Sequence, residues 1–371
     1  MTDRTAAMAR QPAAGAILTI DVDAIVDNWR LLDRFAQPAT AAAVVKADCY
    51  GLGAATIVPR LLAAGCRVFF VAELGEALAL KPILGEEAAL YVLNGVLPGS
   101  EAEYADANIH PVLSSLAQCR AWARLAAAGR ELPSAMLQVD TGMSRLGLDV
   151  AEQEALAADD DLRLALGLTH ILSHLANADE PMHAGNGLQL AAFRAAKGRF
   201  PGLHGTLAAS AGMVLSPDYH FDLCRPGAAL YGIRSGQPLA GLKPVVDLRV
   251  PVAQIRTIAA GASIGYGYTF TASRTMRIAT VGAGYADGWR RALAGKGFAF
   301  FGDHRLPILG RVSMDSFSVD ISAVAAGDIA EGDLIELIGP HQSADEVAAI
   351  AGTIGYEILT SLGRRYRRVY L

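Results

Sequence analysis

The sequence lacks the features that several classes of protein require. Its four cysteines are scattered, with no C-x-x-C spacing that would indicate a metal or redox centre. Charged residues make up only 19% of the chain, and a net charge of -5 without a basic run gives no electrostatic footprint for nucleic acid. No apolar stretch reaches the length of about 18 residues that predicts a membrane span. We therefore expect neither a nucleic-acid-binding nor a membrane protein.

The N-terminal stretch also lacks a targeting signal. Residues 1–15 contain polar or charged residues throughout, without the continuous apolar core of about 7 residues that a secretory signal needs. The four cysteines (Cys49, Cys66, Cys119 and Cys224) then favour a reduced, cytoplasmic enzyme. Hydrophobic residues make up 52% of the 371 residues, which predicts a well-buried globular chain of about two domains.

Short apolar runs alternate with longer amphipathic patterns from residue 41 to about 231. Segments such as Ser115–Ala128 and Gly187–Arg199 have helical periodicity. Eight apolar runs are typical of buried strands: Ala42–Ala47, Val68–Ala72, Leu90–Leu93, Ile109–Leu113, Ala135–Asp140, Leu168–His174, Leu203–Ala208 and Leu223–Tyr231. Eight βα units over roughly 200 residues predict an α/β fold, a (β/α)8 TIM-type barrel, which we assign to residues 1–240.

Beyond residue 240 the pattern becomes β-rich, with turns marked by Gly, Asp and Pro. The predicted strands are Val250–Ile258, Met276–Gly282, Phe298–Phe301, Ser316–Ile321 and Leu334–Ile338. We expect a mostly-β domain over residues 241–371, with a helix near Ala344–Ile354. The early run Ala16–Asp21 alternates like a strand, so residues from about 12 to 21 are candidates for pairing with this C-terminal sheet.

Polar side chains follow five of the predicted barrel strands, where barrel enzymes place their active sites. Lys46 ends the first strand, Gln138 and Asp140 end the fifth, and His174 ends the sixth, whereas Ser210 follows the seventh and Arg225 lies at the eighth. Burying an ammonium is costly, and desolvation lowers its pKa, which makes the amine a nucleophile able to form a Schiff base with an aldehyde cofactor. Taken alone, Lys46 is also compatible with a strand-end lysine that reaches solvent. The five positions on one rim favour an active site.

Eight segments, in the same order and spread over both domains, resemble the alanine racemases, which are pyridoxal 5′-phosphate (PLP) enzymes with a barrel and a C-terminal β domain. The segments are VVKADCYG (44–51), VDTGMSRLG (139–147), SHLANADEP (173–181), CRPGAALYG (224–232), GYGYTF (265–270), GYADGW (284–289), GRVSMDS (310–316) and GYEILTSLG (355–363). The resemblance covers nearly the whole chain. It implies an isomerase that interconverts L- and D-alanine, supplies D-alanine for peptidoglycan and forms a homodimer with shared active sites.

The resemblance assigns catalytic roles to four residues. Lys46 corresponds to the Schiff-base lysine, which also moves the α-proton on one face of the cofactor. Tyr266, donated by the other subunit, corresponds to the second base, because one base would have to cross the conjugated plane to serve both faces. A tyrosine is a poor base unless its pKa is lowered, and His174 and Arg145 are similar to the residues that do this.

The resemblance also assigns residues that bind cofactor and substrate. Arg225 faces the pyridine nitrogen, and because arginine cannot accept a hydrogen bond it favours an unprotonated ring. The residues implied for the cofactor phosphate are Tyr50, Ser210, Gly227, Ala228 and Tyr356. The substrate carboxylate falls to Arg145 and to the backbone N–H of Met314 from the partner subunit. The substrate entrance is implied to contain Asp179, Tyr285, Arg291, Arg311 and Asp315, and no metal site is expected.

The chain departs from the family pattern at three positions. Gln138 stands where the family usually has a carboxylated lysine, so Arg145 meets a neutral carbonyl instead of an anion. Hydrogen bonds to charged groups contribute about 1.5–3 kcal/mol against roughly 1 kcal/mol for neutral ones, so we expect Arg145 to be held less firmly, unless a bound anion such as chloride or another carboxylate replaces the lysine. Ser313 and Leu52 stand where Cys and His are more common.

Alternative functions remain open at this point. A serine racemase or a racemase of broader specificity fits the same residues. PLP-dependent decarboxylases share the architecture but carry a cysteine in the C-terminal domain, whereas all four cysteines here precede residue 225. A non-catalytic PLP carrier would lack the C-terminal β domain.

Overall fold

The computed structural model describes residues 15–371, which divide into two compact units. One unit contains residues 24–243, and the other combines residues 15–23 with residues 244–371. The division falls in the first turn of helix α1 (Val22–Ala36), directly after strand β1 (Ile17–Ile20). Residues 15–23 therefore group with the second unit and not with the barrel, to which we assigned residues 1–240. Residues 12–14 lie outside the described part of the chain.

The unit of residues 24–243 contains the predicted TIM-type barrel. Its strands are β2 (Thr40–Ala41), β3 (Ala43–Val44), β4 (Val68–Val71), β5 (Ala89–Val92), β6 (His110–Leu113), β7 (Ala135–Gln138), β8 (Leu168–Leu172), β9 (His204–Thr206) and β10 (Leu223–Cys224). Strands β3 to β9 form one parallel sheet in sequence order, and β10 pairs in parallel with β2. A parallel bridge between Ala209 and Arg225 joins the end of β9 to β10 and closes the circle. The eight-stranded prediction is confirmed, with β2 and β3 together forming the first strand.

The barrel strands are almost continuous apolar runs because both faces of a parallel sheet are covered. Phe69, Phe70 and Val71 of β4, for example, are fully buried. The outer helices are α2 (Ala54–Ala63), α3 (Leu74–Leu84), α4 (Glu101–Asp106), α5 (Leu116–Ala127), α6 (Val150–Ala157), α7 (Asp160–Ala165), α8 (Ala184–Arg199) and α9 (Ser210–Met213). The predicted strand Leu223–Tyr231 is shorter than expected. Pro226 cannot donate to a strand ladder, and a 3-10 turn follows at Ala228–Tyr231.

The second unit is mostly β, as predicted. Its strands are β1, β11 (Val246–Ile258), β12 (Ser263–Ile264), β13 (Phe270–Thr271), β14 (Met276–Val281), β15 (Phe298–Phe301), β16 (His304–Leu309), β17 (Phe317–Asp320), β18 (Leu334–Ile338) and β19 (Arg367–Tyr370). Eight of them form a sheet in the order β14-β17-β16-β15-β18-β11-β1-β19, and an additional β11–β14 pairing closes the first six into a ring. Strand β1 pairs antiparallel with β11 and parallel with β19.

Two short helices complete this unit: α10 (Ala344–Ala351) and α11 (Gly355–Thr360). Helix α10 begins at a capping box in which Ser343 and Glu346 satisfy each other's backbone N–H groups, and it lies within the predicted segment Ala344–Ile354. No helix of residues 15–371 is long and apolar enough to span a membrane.

A histidine after β18 makes the stability of this unit dependent on pH. His341 Nδ1 lies 3.1 Å from the buried carboxylate of Glu336, and its Nε2 lies 3.4 Å from Asp303. Arg249 also approaches Glu336, at 3.7 Å. The hydrogen bond to Glu336 raises the pKa of His341 above its ordinary value. The protonated pair therefore stabilises the fold fully below an unfolded-state pKa of about 6.5, and this contribution is lost as the pH rises through the folded-state pKa.

We expect His341→Gln to lower the free energy of unfolding at a pH of about 6 by roughly 1 kcal/mol at most, because the histidine is partly exposed. At a pH of about 9 the variant and the parent chain should be nearly equal. Urea unfolding at the two pH values measures the difference. An equal loss at both would show that protonation of His341 does not contribute.

Candidate active site

Lys46 begins an unusual turn directly after the first barrel strand. Residues Ala47 to Tyr50 all have φ between 52° and 56° and ψ between 38° and 52°, which is one turn of left-handed helix built from non-glycine residues. Such a conformation costs about 1–2 kcal/mol per residue. It is maintained only where the surrounding structure enforces it, and such strain clusters at functional sites.

Two carboxylates hold the turn. Glu76 of α3 accepts from the N–H of Ala47 through one oxygen (2.5 Å) and from the N–H of Ala72 through the other (2.7 Å). Asp48 accepts from the N–H of Ala54 (2.7 Å) and so ties the turn to the start of α2. The backbone of Lys46 is thus fixed by groups from two neighbouring βα units.

Lys46 is half-buried and lies among cations. Its pKa is lowered first by desolvation and then by the charge of Arg145, while Glu76 opposes the shift and Arg225 adds to it. His174, after β8, is subject to the same forces. Burial, followed by the charges of Arg225, Arg145 and Lys46, lowers the pKa of His174 to about 3. The imidazole is therefore neutral at physiological pH, and the lysine amine is easier to deprotonate than a surface lysine.

Arg225 is buried without a carboxylate partner among residues 15–371. Its guanidinium donates to Thr206 Oγ1 (2.6 Å) and to the carbonyl oxygens of Ser173 (2.6 Å) and Leu207 (3.3 Å). Desolvation lowers the pKa of Arg225 to about 10, so it remains protonated at neutral pH. The result is a rigid cation whose partners are all neutral acceptors, as an arginine that faces an uncharged ring nitrogen requires.

Ser210, Gly227 and Ala228 form a cradle of hydrogen-bond donors. Ser210 Oγ accepts from the N–H groups of Gly227 (3.0 Å) and Ala229 (3.2 Å), which leaves its own O–H available as a donor. The N–H of Ala228 is buried, and it donates to no acceptor in the described part of the chain. Because backbone N–H groups at the start of a helical turn are suited to anions, this arrangement fits a phosphate.

Tyr50 closes the cradle. A Cβ added to Gly227 would lie 2.3 Å from the Tyr50 hydroxyl, so only glycine permits this approach. The Tyr50 ring lies 4.8 Å, centroid to centroid, from Tyr231, whose hydroxyl donates to the carbonyl oxygen of Val44 (3.1 Å). The structure thus brings together four of the five residues predicted for the phosphate; the fifth, Tyr356, lies in α11 of the second unit.

The loop after β7 presents Arg145 without a fixed partner. Asp140 accepts from the N–H groups of Gly142, Met143 and Ser144 and so shapes the loop. Gln138 is buried, but its amide donates to the carbonyl oxygen of Leu146 (3.4 Å). Arg145 is exposed and, within residues 15–371, makes no hydrogen bond or ion pair. This agrees with the expectation that arginine is held less firmly without an anion at position 138.

Most of the residues predicted for the second base, substrate and entrance lie in the second unit. Tyr266 begins a short 3-10 turn between Gly265 and Thr269, and its side chain is 72% exposed. A pocket of about 540 Å³ in this unit is lined by Tyr266, Tyr285, Arg291, Arg311, Val312 and Ser313. Met314 follows directly, and its backbone N–H donates to no acceptor in residues 15–371. Asp179, by contrast, is exposed in the loop after β8.

Several contributing residues escaped the sequence prediction. Glu76, Thr206, Tyr231 and Arg365 contact or support site residues, yet the sequence analysis assigned a role to none of them, although Thr206 and Tyr231 fall in the predicted strands Leu203–Ala208 and Leu223–Tyr231. Only Glu76 carries a local signal, because Glu73 and Glu76 have capping-box spacing at the start of α3. Among residues 15–371 no group of three or more His, Cys, Asp or Glu side chains is arranged to hold a metal ion.

Fold and site together define a barrel enzyme with a lysine of lowered pKa and a cradle of N–H donors in the loops that follow its strands, in a chain that also contains a β domain. The family model described as "Alanine racemase, N-terminal domain" matches residues 20–235, and "Alanine racemase, C-terminal domain" matches residues 245–370. The chain belongs to the alanine racemase family.

Curated relatives and solved structures agree with this assignment. The alanine racemase of Brucella ovis is 50% identical over 98% of this chain and 95% of the relative, and the "Alanine racemase, catabolic" of Mesorhizobium japonicum is 50% identical over 97% and 94%. The crystal structure of alanine racemase from Bartonella henselae, described as having covalently bound pyridoxal phosphate, is similar with a TM-score of 0.93 and 44% identity. The match covers 96% of this chain and 100% of the Bartonella henselae chain.

The cationic environment of Lys46 predicts the effect of removing Arg145. Arg145→Gln should raise the pKa of Lys46, because one of the charges that oppose protonation is lost. The protein is first stripped of small molecules and then treated with a small amine-reactive anhydride over a range of pH. Peptide mass spectrometry of Lys46 acylation measures the change in pKa. Arg163→Gln is a matched control, because Arg163 forms an exposed ion pair with Asp160 in α7. Identical Lys46 profiles in the two variants would contradict the role of Arg145.

Proposed function

We propose that this chain is a PLP-dependent alanine racemase in which Lys46 and Tyr266 move the α-proton on opposite faces of the substrate. The observation that carries the proposal is that Lys46 and Arg225, a buried cation without a carboxylate partner among residues 15–371, lie in the same barrel unit as the donor cradle, in which the buried N–H of Ala228 has no acceptor among those residues. Membership of the alanine racemase family selects the reaction.

The residues of the barrel unit fit the cofactor. Lys46 would bind its aldehyde carbon, the cradle of Ser210, Gly227, Ala228 and Tyr50 would hold its phosphate, and Arg225 would face its ring nitrogen. When bound, PLP supplies a conjugated ring that withdraws electrons from the substrate Cα. Because Arg225 stays protonated and cannot accept a hydrogen bond, it keeps the ring nitrogen unprotonated, which limits that withdrawal and favours return of the proton to Cα over other reactions.

Proton transfer requires two groups with different environments. The lowered pKa of Lys46 makes its amine easier to deprotonate, which suits it to accept the α-proton from one enantiomer. The phenol of Tyr266 then donates a proton from the opposite face, and the reverse reaction exchanges the two roles. Arg145 and the N–H of Met314, neither of which has a hydrogen-bond partner within residues 15–371, hold the substrate carboxylate. Since the chemistry is symmetric, the same site serves either the supply of D-alanine for peptidoglycan or its consumption.

An arginine, and not His174, supplies the positive charge that activates Tyr266. With a pKa of about 3, His174 is neutral, so it contributes a hydrogen-bonding group and no charge. Arg145 and Arg225 both act electrostatically on His174. We infer that the two arginines polarise the phenol of Tyr266, with His174 as a neutral intermediary.

We propose further that two copies of the chain form a homodimer with shared active sites, each Lys46 working with the Tyr266 of the other copy. The high exposure of Tyr266 supports this, because a general base needs desolvated surroundings that its own chain does not provide. We also propose that the enzyme works in the cytoplasm, where its four free, buried cysteines remain reduced.

The tight approach between Gly227 and Tyr50 predicts the effect of filling it. Gly227→Ala places a methyl group where the Tyr50 hydroxyl now lies, so the phosphate cradle must open. We expect apparent PLP affinity to fall about tenfold or more, corresponding to about 1.4 kcal/mol, measured by titration of the apoenzyme with PLP. Gly198→Ala is the control, because a Cβ at Gly198 in α8 meets open space. Unchanged PLP affinity in Gly227→Ala would remove Gly227 from the cradle.

Shared sites predict complementation between two inactive variants. Lys46→Ala should abolish racemisation of L- and D-alanine, and Tyr266→Phe should lower it about 10²–10⁴-fold, the loss typical of a general acid-base. Mixing the two variants after reversible dissociation creates hybrid dimers with one intact site, so activity should return to about a quarter of that of the parent enzyme. Circular dichroism of the alanine product measures the rate. If mixing restores nothing while the hybrids form, each site draws both bases from a single chain.

A further inference from the structure

Arg365 links two carboxylates in the second unit. Its Nε and Nη2 donate to the two oxygens of Asp287 (2.6 and 2.7 Å), and its Nη1 donates to Asp315 (2.6 Å). We call these three residues the Arg365 clamp. Hydrogen bonds to Asp287 and then to Asp315 raise the pKa of Arg365. Exposed ion pairs contribute little, but the Asp287 side chain is only 6% exposed, and a bidentate pair with a buried carboxylate fixes geometry as well as charge.

The buried half of the clamp shapes the turn at residues 284–288. Asp287 Oδ2 also accepts from the N–H of Gly284 (2.9 Å), and the Asp287 carbonyl accepts from the N–H of Gly363 (3.0 Å). A Cβ at Gly288 would lie 2.0 Å from the carbonyl oxygen of Ser361, so this turn and the segment that carries Arg365 are in backbone contact. Without Arg365, Asp287 would be a buried carboxylate lacking its cation, which is strongly unfavourable.

The turn at residues 284–288 also fixes the backbone that carries the Met314 N–H. Tyr285 N–H donates to the carbonyl oxygen of Ser313, and Ala286 N–H donates to that of Met314, both at 3.0 Å. A Cβ at Gly284 would lie 2.3 Å from each of these carbonyl oxygens, so the Ser313–Met314 backbone lies directly against the glycine. Asp287, through this turn, thus determines where the Met314 N–H points.

The exposed half of the Arg365 clamp, its pair with Asp315, neutralises a negative charge next to Met314. Asp315 follows Met314 directly, and its side chain is 62% exposed. An unpaired carboxylate next to an N–H that binds a substrate carboxylate would repel the substrate. Arg365 is the cation paired with Asp315 in this structure, so it removes that repulsion at the same time as it anchors the turn.

We propose that Arg365 is a positioning residue for substrate binding: through Asp287 it orients the Met314 N–H, and through Asp315 it neutralises the carboxylate beside it. The proposal rests on the assignment of the Met314 N–H to the substrate carboxylate under the proposed function. Arg365 acts through other residues and does not contact the reacting atoms.

Steady-state kinetics of the PLP-loaded enzyme tests the proposal. Arg365→Gln should raise KM for both alanine enantiomers about tenfold while kcat changes little, because the lost interaction is made equally with substrate and transition state. Arg365→Lys keeps the charge but not the bidentate geometry, so its KM should lie between that of the parent enzyme and that of Arg365→Gln. Adding Asp315→Asn to Arg365→Gln should lower the raised KM part of the way towards that of the parent enzyme. Added salt should also lower the KM of Arg365→Gln, because it screens the charge of Asp315.

Arg274→Gln is the matched control, because Arg274 forms a surface ion pair with Asp320 at 3.5 Å in the same unit. It should leave KM and kcat unchanged. A merely structural role of Arg365 would lower the melting temperature and the amount of active enzyme without moving KM. Wild-type KM values in both Arg365→Gln and Arg365→Lys would overturn the proposal, and Arg365→Lys alone decides the matter if Arg365→Gln does not fold.

A final variant separates this proposal from the function on which it rests. Exchanging the Met314 amide for an ester, by incorporation of the α-hydroxy analogue of methionine, removes the N–H and leaves the clamp intact. A raised KM in this variant with an unchanged KM in Arg365→Gln refutes the clamp alone. An unchanged KM in the ester variant refutes the assignment of the Met314 N–H, and the proposal with it.

Discussion

The barrel unit is organised around two cations, the half-buried Lys46 and the buried Arg225, with too little negative charge to neutralise them. Desolvation lowers the pKa of both groups, the charges of Arg145 and Arg225 lower that of Lys46 further, and desolvation with the neighbouring cations keeps His174 uncharged. Arg225 survives this burial because three neutral oxygens accept its hydrogen bonds. The positive charge that remains, together with the unused N–H of Ala228, makes the site a receptor for an anionic ligand, and such a ligand stabilises the site that binds it.

The same logic of unsatisfied donors extends to the second unit. Within the described part of the chain the N–H of Met314 has no acceptor, Arg291 and Arg311 line the pocket, and Asp315, the carboxylate next to Met314 in sequence, is paired with Arg365. Carboxylates are not absent from either unit. They accept hydrogen bonds from backbone N–H groups, as Glu76 does next to Lys46, or from a guanidinium group, as Asp287 does from Arg365.

The sequence predicted much of the fold because buried parallel strands are continuous apolar runs bounded by glycine, proline or polar residues, and their carboxyl ends share one rim. That argument placed Lys46, His174 and Arg225 together. It could not predict the left-handed turn at Ala47–Tyr50, since none of its residues is glycine and the turn depends on Glu76, 29 positions away from Ala47. Nor could it pair Arg365 with Asp287, because surface-type charges separated by 78 positions carry no local pattern.

The pairing of β1 has a consequence for the order in which the protein forms during synthesis. Strand β1 is made before the barrel unit, yet its two neighbours in the sheet are β11 and β19, which follow the whole of that unit. Residues 24–243 have their own core and become available as a continuous segment, so they can fold while the ribosome is still translating. Strand β1 must therefore wait unpaired until β11 emerges, and its second edge is paired only when β19, which contains nearly the last residues described, has been made.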